Sequence, residues 1–110
     1  MSSLKKDDLI FVAGHSGMVG SAITRLLKKK SYSNLLLPPR KVLDLLNNKE
    51  VENWLFKFKP EVVILAAAKV GGIEANQNYP ADFILENIKI QTNIIENSWR
   101  IGVKKFLFLG

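Results

Sequence analysis

Apolar residues fall along this chain in two alternating rhythms. Four short, nearly unbroken runs are Leu9-Ile10-Phe11-Val12-Ala13, Leu35-Leu36-Leu37, Val62-Val63-Ile64-Leu65-Ala66 and Lys105-Phe106-Leu107-Phe108-Leu109. Runs of this length suit strands buried on both faces of a parallel sheet. Between them the spacing changes to that of helices. Val19, Ala22, Ile23, Leu26 and Leu27 predict a helix over residues 18–30. Asn47 with Glu50 resembles a capping box, and Val51, Trp54, Leu55 and Phe58 follow at i, i+3, i+4 and i+7, so a second helix runs to Lys59 and is halted by Pro60. Pro80 suits the first turn of a long helix reaching Ile101, with Gly102 as its stop.

The connections carry their own signals. Pro38 and Pro39 cannot donate to a ladder and end the second apolar run, after which residues 41–46 offer a short additional strand. Gly71, Gly72, Asn76 and Asn78 mark a loop after the run ending at Ala66. On the long helix, Ile84, Ile88, Ile95 and Trp99 line one face while Ile90, Ile94 and Ile101 widen it. So broad an apolar face predicts burial against both the sheet and a further surface such as a second subunit. Strands alternating with helices give an α/β fold, a Rossmann-type parallel sheet with helices on both faces that stops after about four or five strands. Residues 1–110 are expected to form one such domain, without repeat or linker.

Composition narrows the chemistry. With 47% hydrophobic and 24% charged residues the chain is a folding sequence, not a disordered one. No apolar run approaches the roughly 20 residues that span a bilayer, and residues 1–8 lack the apolar middle of a secretory signal, so a cytoplasmic protein without membrane contact is expected. Zero cysteines and one histidine exclude a disulfide framework, a cysteine nucleophile and a thiolate or histidine-rich metal site, and no metal is expected. The formal net charge of +6 raises nucleic acid as a partner. Its clusters have another explanation, since Lys28, Lys29 and Lys30 end a helix and Lys104 and Lys105 lead into a strand. Without a recognition motif, no nucleic-acid partner is expected.

One motif carries specific chemistry. Gly14-His15-Ser16-Gly17-Met18-Val19-Gly20 lies between a predicted strand and a predicted helix, spaced G-x-x-G-x-x-G. In that context Gly14 permits the tight turn, Gly17 lets backbone approach a pyrophosphate, and Gly20 lets helix pack on strand, while the amides opening the helix hold phosphates. The alternative is a glycine turn needed for packing alone. His15 has no acid nearby in sequence to orient it and is given no role in proton transfer. Cofactor preference should be set after the second strand, where Pro38-Pro39-Arg40-Lys41 offers cations and no carboxylate, favouring the 2′-phosphate of NADP over NAD. Arg40 could instead be solvated, and Asp44 either meets the adenine or caps the following turn.

Three segments together resemble the beginning of a GDP-L-fucose synthase, a nucleotide-sugar enzyme among the extended short-chain dehydrogenases/reductases. They are Ala13 with the glycine motif through Ser21 and Ala22; Leu65-Ala66-Ala67-Ala68-Lys69-Val70-Gly71-Gly72-Ile73 with Asn76 and Asn78-Tyr79-Pro80-Ala81-Asp82-Phe83; and Gly102-Val103-Lys104-Lys105-Phe106-Leu107-Phe108-Leu109-Gly110. The resemblance implies NADPH-dependent 3,5-epimerisation and 4-keto reduction of GDP-4-keto-6-deoxy-D-mannose to GDP-L-fucose, by a homodimer of the full-length protein. It places Gly14, His15, Ser16, Gly17, Met18, Val19 and Gly20 around the pyrophosphate, Arg40 at the 2′-phosphate, and Asp44 with Leu45 at the adenine. Ala66, Ala67, Ala68 and Lys69 would line the dinucleotide, Asn87 would brace it from the long helix, and Leu109 with Gly110 would begin the nicotinamide wall. A solvated loop lysine and a plain polar helix residue remain the alternatives for Lys69 and Asn87.

Departures from the family pattern also matter. Ser16 stands where many members have arginine, and Pro38-Pro39-Arg40 replaces an Arg-Thr-Arg-like run, which weakens the expected grip on phosphate. The catalytic serine, the Tyr-x-x-x-Lys pair, the later histidine and the sugar-binding domain of the family have no counterpart in these 110 residues. The chain therefore reads as a cofactor-binding N-terminal part with no catalytic residue of its own, binding a nucleotide sugar only when completed by a C-terminal part. Two other readings stay open: part of another NAD(P)-dependent nucleotide-sugar epimerase or dehydratase, and a non-catalytic dinucleotide-binding module.

Overall fold

A computed structural model describes residues 4–66 and 81–109. Within them the elements are Ile10–Ala13 (β1), Met18–Lys29 (α1), Leu35–Leu36 (β2), Asn48–Phe58 (α2), Val62–Leu65 (β3), Ala81–Ile101 (α3) and Lys105–Phe108 (β4). All strand pairs are parallel, in the order β2-β1-β3-β4. Because successive side chains of a strand point to opposite faces, each apolar run feeds two cores at once. Phe11, Ala13, Val63 and Leu65 pack with Val51, Leu55 and Ile94 on the side of α2 and α3. Ile10, Val12, Val62 and Ile64 pack with Leu27 and Ile23 on the side of α1. The result is the expected Rossmann-type sheet between two helical layers.

Helix ends follow the local chemistry. Asn47 caps α2 by accepting the Glu50 N–H through Oδ1 at 3.1 Å, and Lys28 and Lys29 occupy the last turn of α1, where the helix dipole favours cations. On α3 the expected double burial resolves into two faces. Ile94 is fully buried, with Ile90 and Ile101 packed beside it, whereas Ile84, Ile88, Ile95 and Trp99 form an exposed outer stripe, Trp99 at 79%.

The additional strand expected over residues 41–46 is not formed; that segment is a succession of turns. Its donors are committed locally. The Pro39 carbonyl accepts both Val42 N–H (2.9 Å) and Leu43 N–H (3.0 Å), and Asp44 Oδ1 accepts Leu46 N–H at 3.0 Å. With those amides engaged there is no ladder to extend, and four strands stand among the described residues.

The sheet is fastened at the end opposite the carboxyl ends of its strands. Asp8, 2% exposed, receives Lys104 Nζ at 2.9 Å and the Lys5 N–H at 2.8 Å, while Glu61 Oε1 accepts Leu9 N–H at 2.7 Å. These contacts join the entries of β1, β3 and β4. The hydrogen bond from Lys104, then that from the Lys5 backbone, holds the Asp8 carboxyl below its ordinary value of 3.8 against the opposing effect of burial. A depressed folded-state value means that this stabilisation is fully present above the unfolded carboxylate value and is lost as pH falls from 3.8 toward the folded one. Thermal melts from pH 6 down to pH 2 are therefore expected to fall more steeply for the native chain than for Asp8→Asn, which is less stable at pH 6 but converges with it in acid. Parallel curves would show that Asp8 contributes nothing to acid unfolding.

Candidate functional site

β1 and β3 lie side by side, yet the chain leaves β1 toward β2 on one flank and β3 toward β4 on the other. Connections that diverge from neighbouring parallel strands leave a crevice at their carboxyl ends, where open α/β sheets bind ligands. A cleft of about 600 Å³ lies there, within the usual range for small-molecule sites. It is lined by the last residues of β1, the turn 14–17, the start of α1, the loop residues Pro38, Arg40, Leu43, Asp44, Leu45 and Leu46, Ala66 after β3, and Phe83, Glu86, Asn87 and Ile90 of α3.

The glycine turn forms the floor. Gly14 has φ 87°, in the left-handed region that a side chain resists, and its carbonyl accepts Gly17 N–H at 3.2 Å to close the turn. Gly17 is the N-cap of α1, has no side chain to cap with, and no acidic residue occupies the first turn. The first bond along this helix runs from Ser21 N–H to the Gly17 carbonyl at 2.8 Å, so the amides of Met18, Val19 and Gly20 precede the helical ladder. Ser16, Gly17, Met18 and Val19 are exposed. An open first turn with its dipole directed at the cleft is suited to an anion. At Gly17 a Cβ would lie 3.6 Å from the Gly14 carbonyl oxygen, an ordinary contact, so the fold itself does not demand glycine there.

The other expected residues divide by location. Arg40 is exposed at the cleft wall, Asp44 and Leu45 are half-buried in the same loop, and Asn87 is half-buried on α3. The two readings of Asp44 are partly resolved, since its Oδ1 caps the turn to Leu46. Leu109 is not among the described residues that line the cleft; it packs beside Ile10, Val12 and Ile64 on the α1 side of the sheet. Ala67, Ala68, Lys69 and Gly110 lie outside the described residues. Nine lining residues carried no site role in the sequence reading: Phe11, Val12, Ala13, Pro38, Leu43, Leu46, Phe83, Glu86 and Ile90. A signal existed for α3, because Phe83, Asn87 and Ile90 recur at i, i+4 and i+7. Among the described residues no three histidine, aspartate or glutamate side chains gather as a metal site would require.

Known proteins share this arrangement. The sequence model of the NAD dependent epimerase/dehydratase family matches residues 10–110. GDP-L-fucose synthase 1 of Arabidopsis thaliana is 55% identical over 105 residues, 96% of this chain and 32% of the relative. Among solved structures, a GDP-mannoheptose C4 reductase from Campylobacter jejuni with NADP bound superposes with a TM-score of 0.83 at 37% identity, covering 98% of this chain and 34% of the other. A GDP-L-fucose synthetase from Naegleria fowleri bound to NADP gives a TM-score of 0.78 at 31% identity, covering 97% and 32%. The chain thus spans about a third of the length of the relatives it matches.

Proposed function

This chain belongs to the NAD dependent epimerase/dehydratase family, and from that premise we propose that it is the NADP(H)-binding part of a GDP-L-fucose synthase-like nucleotide-sugar epimerase/reductase. The observation that carries the reading is the uncapped first turn of α1 opening onto the cleft, with Gly17 exposed at its tip. Gly14, His15, Ser16, Gly17, Met18, Val19 and Gly20 hold the pyrophosphate, chiefly through the amides of Met18 and Val19. Arg40 faces the 2′-phosphate, Asp44 and Leu45 border the adenine, and Ala66 and Asn87 line the route toward the nicotinamide. Bound NADPH supplies the hydride for keto reduction. What this chain's own residues contribute is orientation and exclusion of water, and among the described residues no group is placed to protonate a keto oxygen. The relatives are about three times as long, and the nucleotide sugar is a substrate of the protein at that full length.

Two solved relatives are described with NADP bound, and Arg40 is a cation on the cleft wall. A guanidinium against a phosphate dianion forms charge-assisted hydrogen bonds that NAD cannot offer. By intrinsic fluorescence titration the native chain should bind NADPH in the micromolar range, at least about tenfold more tightly than NADH. Arg40→Ala should erase most of that difference by weakening NADPH and leaving NADH unchanged. Equal loss for both nucleotides would assign Arg40 a structural task instead.

The outer stripe of α3 fits the same reading. Ile84, Ile88, Ile95 and Trp99 sit at i, i+4, i+11 and i+15 and are all exposed, an apolar surface of the kind that marks subunit contacts. The stripe is covered by α3 of a second subunit. Sedimentation velocity should show the native chain as a dimer and Trp99→Glu as a monomer; a native chain monomeric at high micromolar concentration would remove the assignment.

A further inference from the structure

Residues 39–47, which carry Arg40, Asp44, Leu45 and Leu46 to the cleft, have no place in the sheet. Their hydrogen bonds are nearly all local. Val42 and Leu43 donate to Pro39, Leu46 N–H to Asp44 Oδ1, Asn47 N–H to the Asp44 carbonyl, and Asp44 N–H to Glu50 Oε1 at 3.2 Å. Bonds over so few residues set the shape of the loop but not where it stands. Apolar packing and a long-range hydrogen bond tie it to the rest of the molecule. Leu43 is sunk in the core with Phe11 and Ile94, and Leu45 packs against the same cluster, which fixes depth without direction. Asn93 of α3, 8% exposed, donates Nδ2 to the Leu45 carbonyl at 2.9 Å across 48 residues of sequence.

Asn93 belongs to a single face of α3. Phe83, Asn87 and Ile90 on that face line the cleft, Asn93 follows one turn later, and Asn97 lies one turn beyond, donating to Asn48 Oδ1 at 3.0 Å and to the Asn93 carbonyl at 2.8 Å. The helix that walls one side of the cleft therefore grips the opposite wall by a directional bond at Leu45. Beyond its own helix Asn97 reaches the start of α2, away from the lining residues.

We infer that Asn93 is a positioning residue for the adenosine half of the dinucleotide: through the Leu45 carbonyl it holds the wall formed by Asp44, Leu45 and Leu46 at a fixed separation from the glycine turn. The inference rests on the NADP(H) reading of the cleft. A bond that only docked helix on loop would act on stability alone. A positioning bond acts on affinity, and does so for any ligand that carries the adenosine end.

The test uses the 110-residue chain and two probes, NADPH and adenosine 2′,5′-bisphosphate, which has the adenine, ribose and 2′-phosphate but no nicotinamide. The native chain should bind both. Asn93→Ala should raise both dissociation constants by about tenfold, the upper end of what one intramolecular hydrogen bond is worth. Asn97→Ala should lower the melting temperature but move neither constant by more than about twofold. Asn93→Asp, which keeps the shape and removes the donor, repeats the measurement if the alanine variant unfolds below the working temperature. Unchanged affinities in Asn93→Ala or Asn93→Asp, or an equal loss in Asn97→Ala, would overturn the inference while leaving the cofactor reading intact. A native chain that binds neither probe would overturn both.

Discussion

Replacing Gly20 by alanine is expected to lower the melting temperature of the chain by on the order of 12 °C or more, corresponding to at least about 3 kcal/mol in a domain of this size. A Cβ at this position would lie 1.9 Å from the Gly14 carbonyl oxygen, 2.7 Å from its carbon and 2.9 Å from the His15 Cα. All three are backbone atoms, so no side chain can rotate away. Either α1 must lift off the end of β1 or the turn must open, and both changes disturb the core that Leu27 and Ile23 form with Ile10 and Val12. Circular dichroism melts of the two proteins measure the effect directly. A variant melting within about 3 °C of the native chain would mean that α1 is not seated on the turn as closely as the structure has it.

Gly17→Ala is expected to do the reverse, leaving the fold nearly untouched and removing the ligand. Its backbone, at φ −75° and ψ 176°, is one that any residue adopts, and the added carbon would meet its nearest neighbour at 3.6 Å. The stability change should stay within about 1 kcal/mol, the difference between glycine and alanine at an N-cap. NADPH affinity should fall by at least about a hundredfold. The methyl group stands where the diphosphate would approach, and two charge-assisted hydrogen bonds to helix amides are worth roughly 1.5–3 kcal/mol each. Calorimetric titration with a parallel melt separates the two effects. Retained binding in a stable Gly17→Ala would mean that the turn serves packing alone.

The contrast between these glycines shows where sequence reading reached and where it stopped. The spacing of Gly14, Gly17 and Gly20 after Ile10–Ala13 was enough to find the turn, because strand, turn and helix are local and each leaves a periodic trace. The four strands and three helices of the described residues were legible for the same reason, down to the Asn47 cap. Residues 41–46 were not: Val42, Leu43, Leu45 and Leu46 resemble an apolar run, and only the engagement of their donors by Pro39 and Asp44 rules out a strand. Asn93 left no trace at all, since its partner is a backbone carbonyl 48 residues away and any residue could supply one. Leu109 follows β4 directly and packs against the α1-side core, a placement that resemblance alone did not convey. What distinguishes a glycine the fold needs from one a ligand needs is a distance to another part of the backbone, and no spacing encodes it.

The claim beneath all of this is that the first amides of α1 bind a diphosphate, and amide chemical shifts read it residue by residue. In a titration of the isotopically labelled chain with NADPH, the backbone N–H signals of Gly17, Met18, Val19 and Gly20 should move most and saturate together, those of Leu45 and Leu46 should follow, and those of Asp8 and Lys104 at the far end of the sheet should stay in place. If NADPH binds while the Met18 and Val19 amides remain still, or if nothing moves at millimolar NADPH, the open first turn is not a diphosphate site.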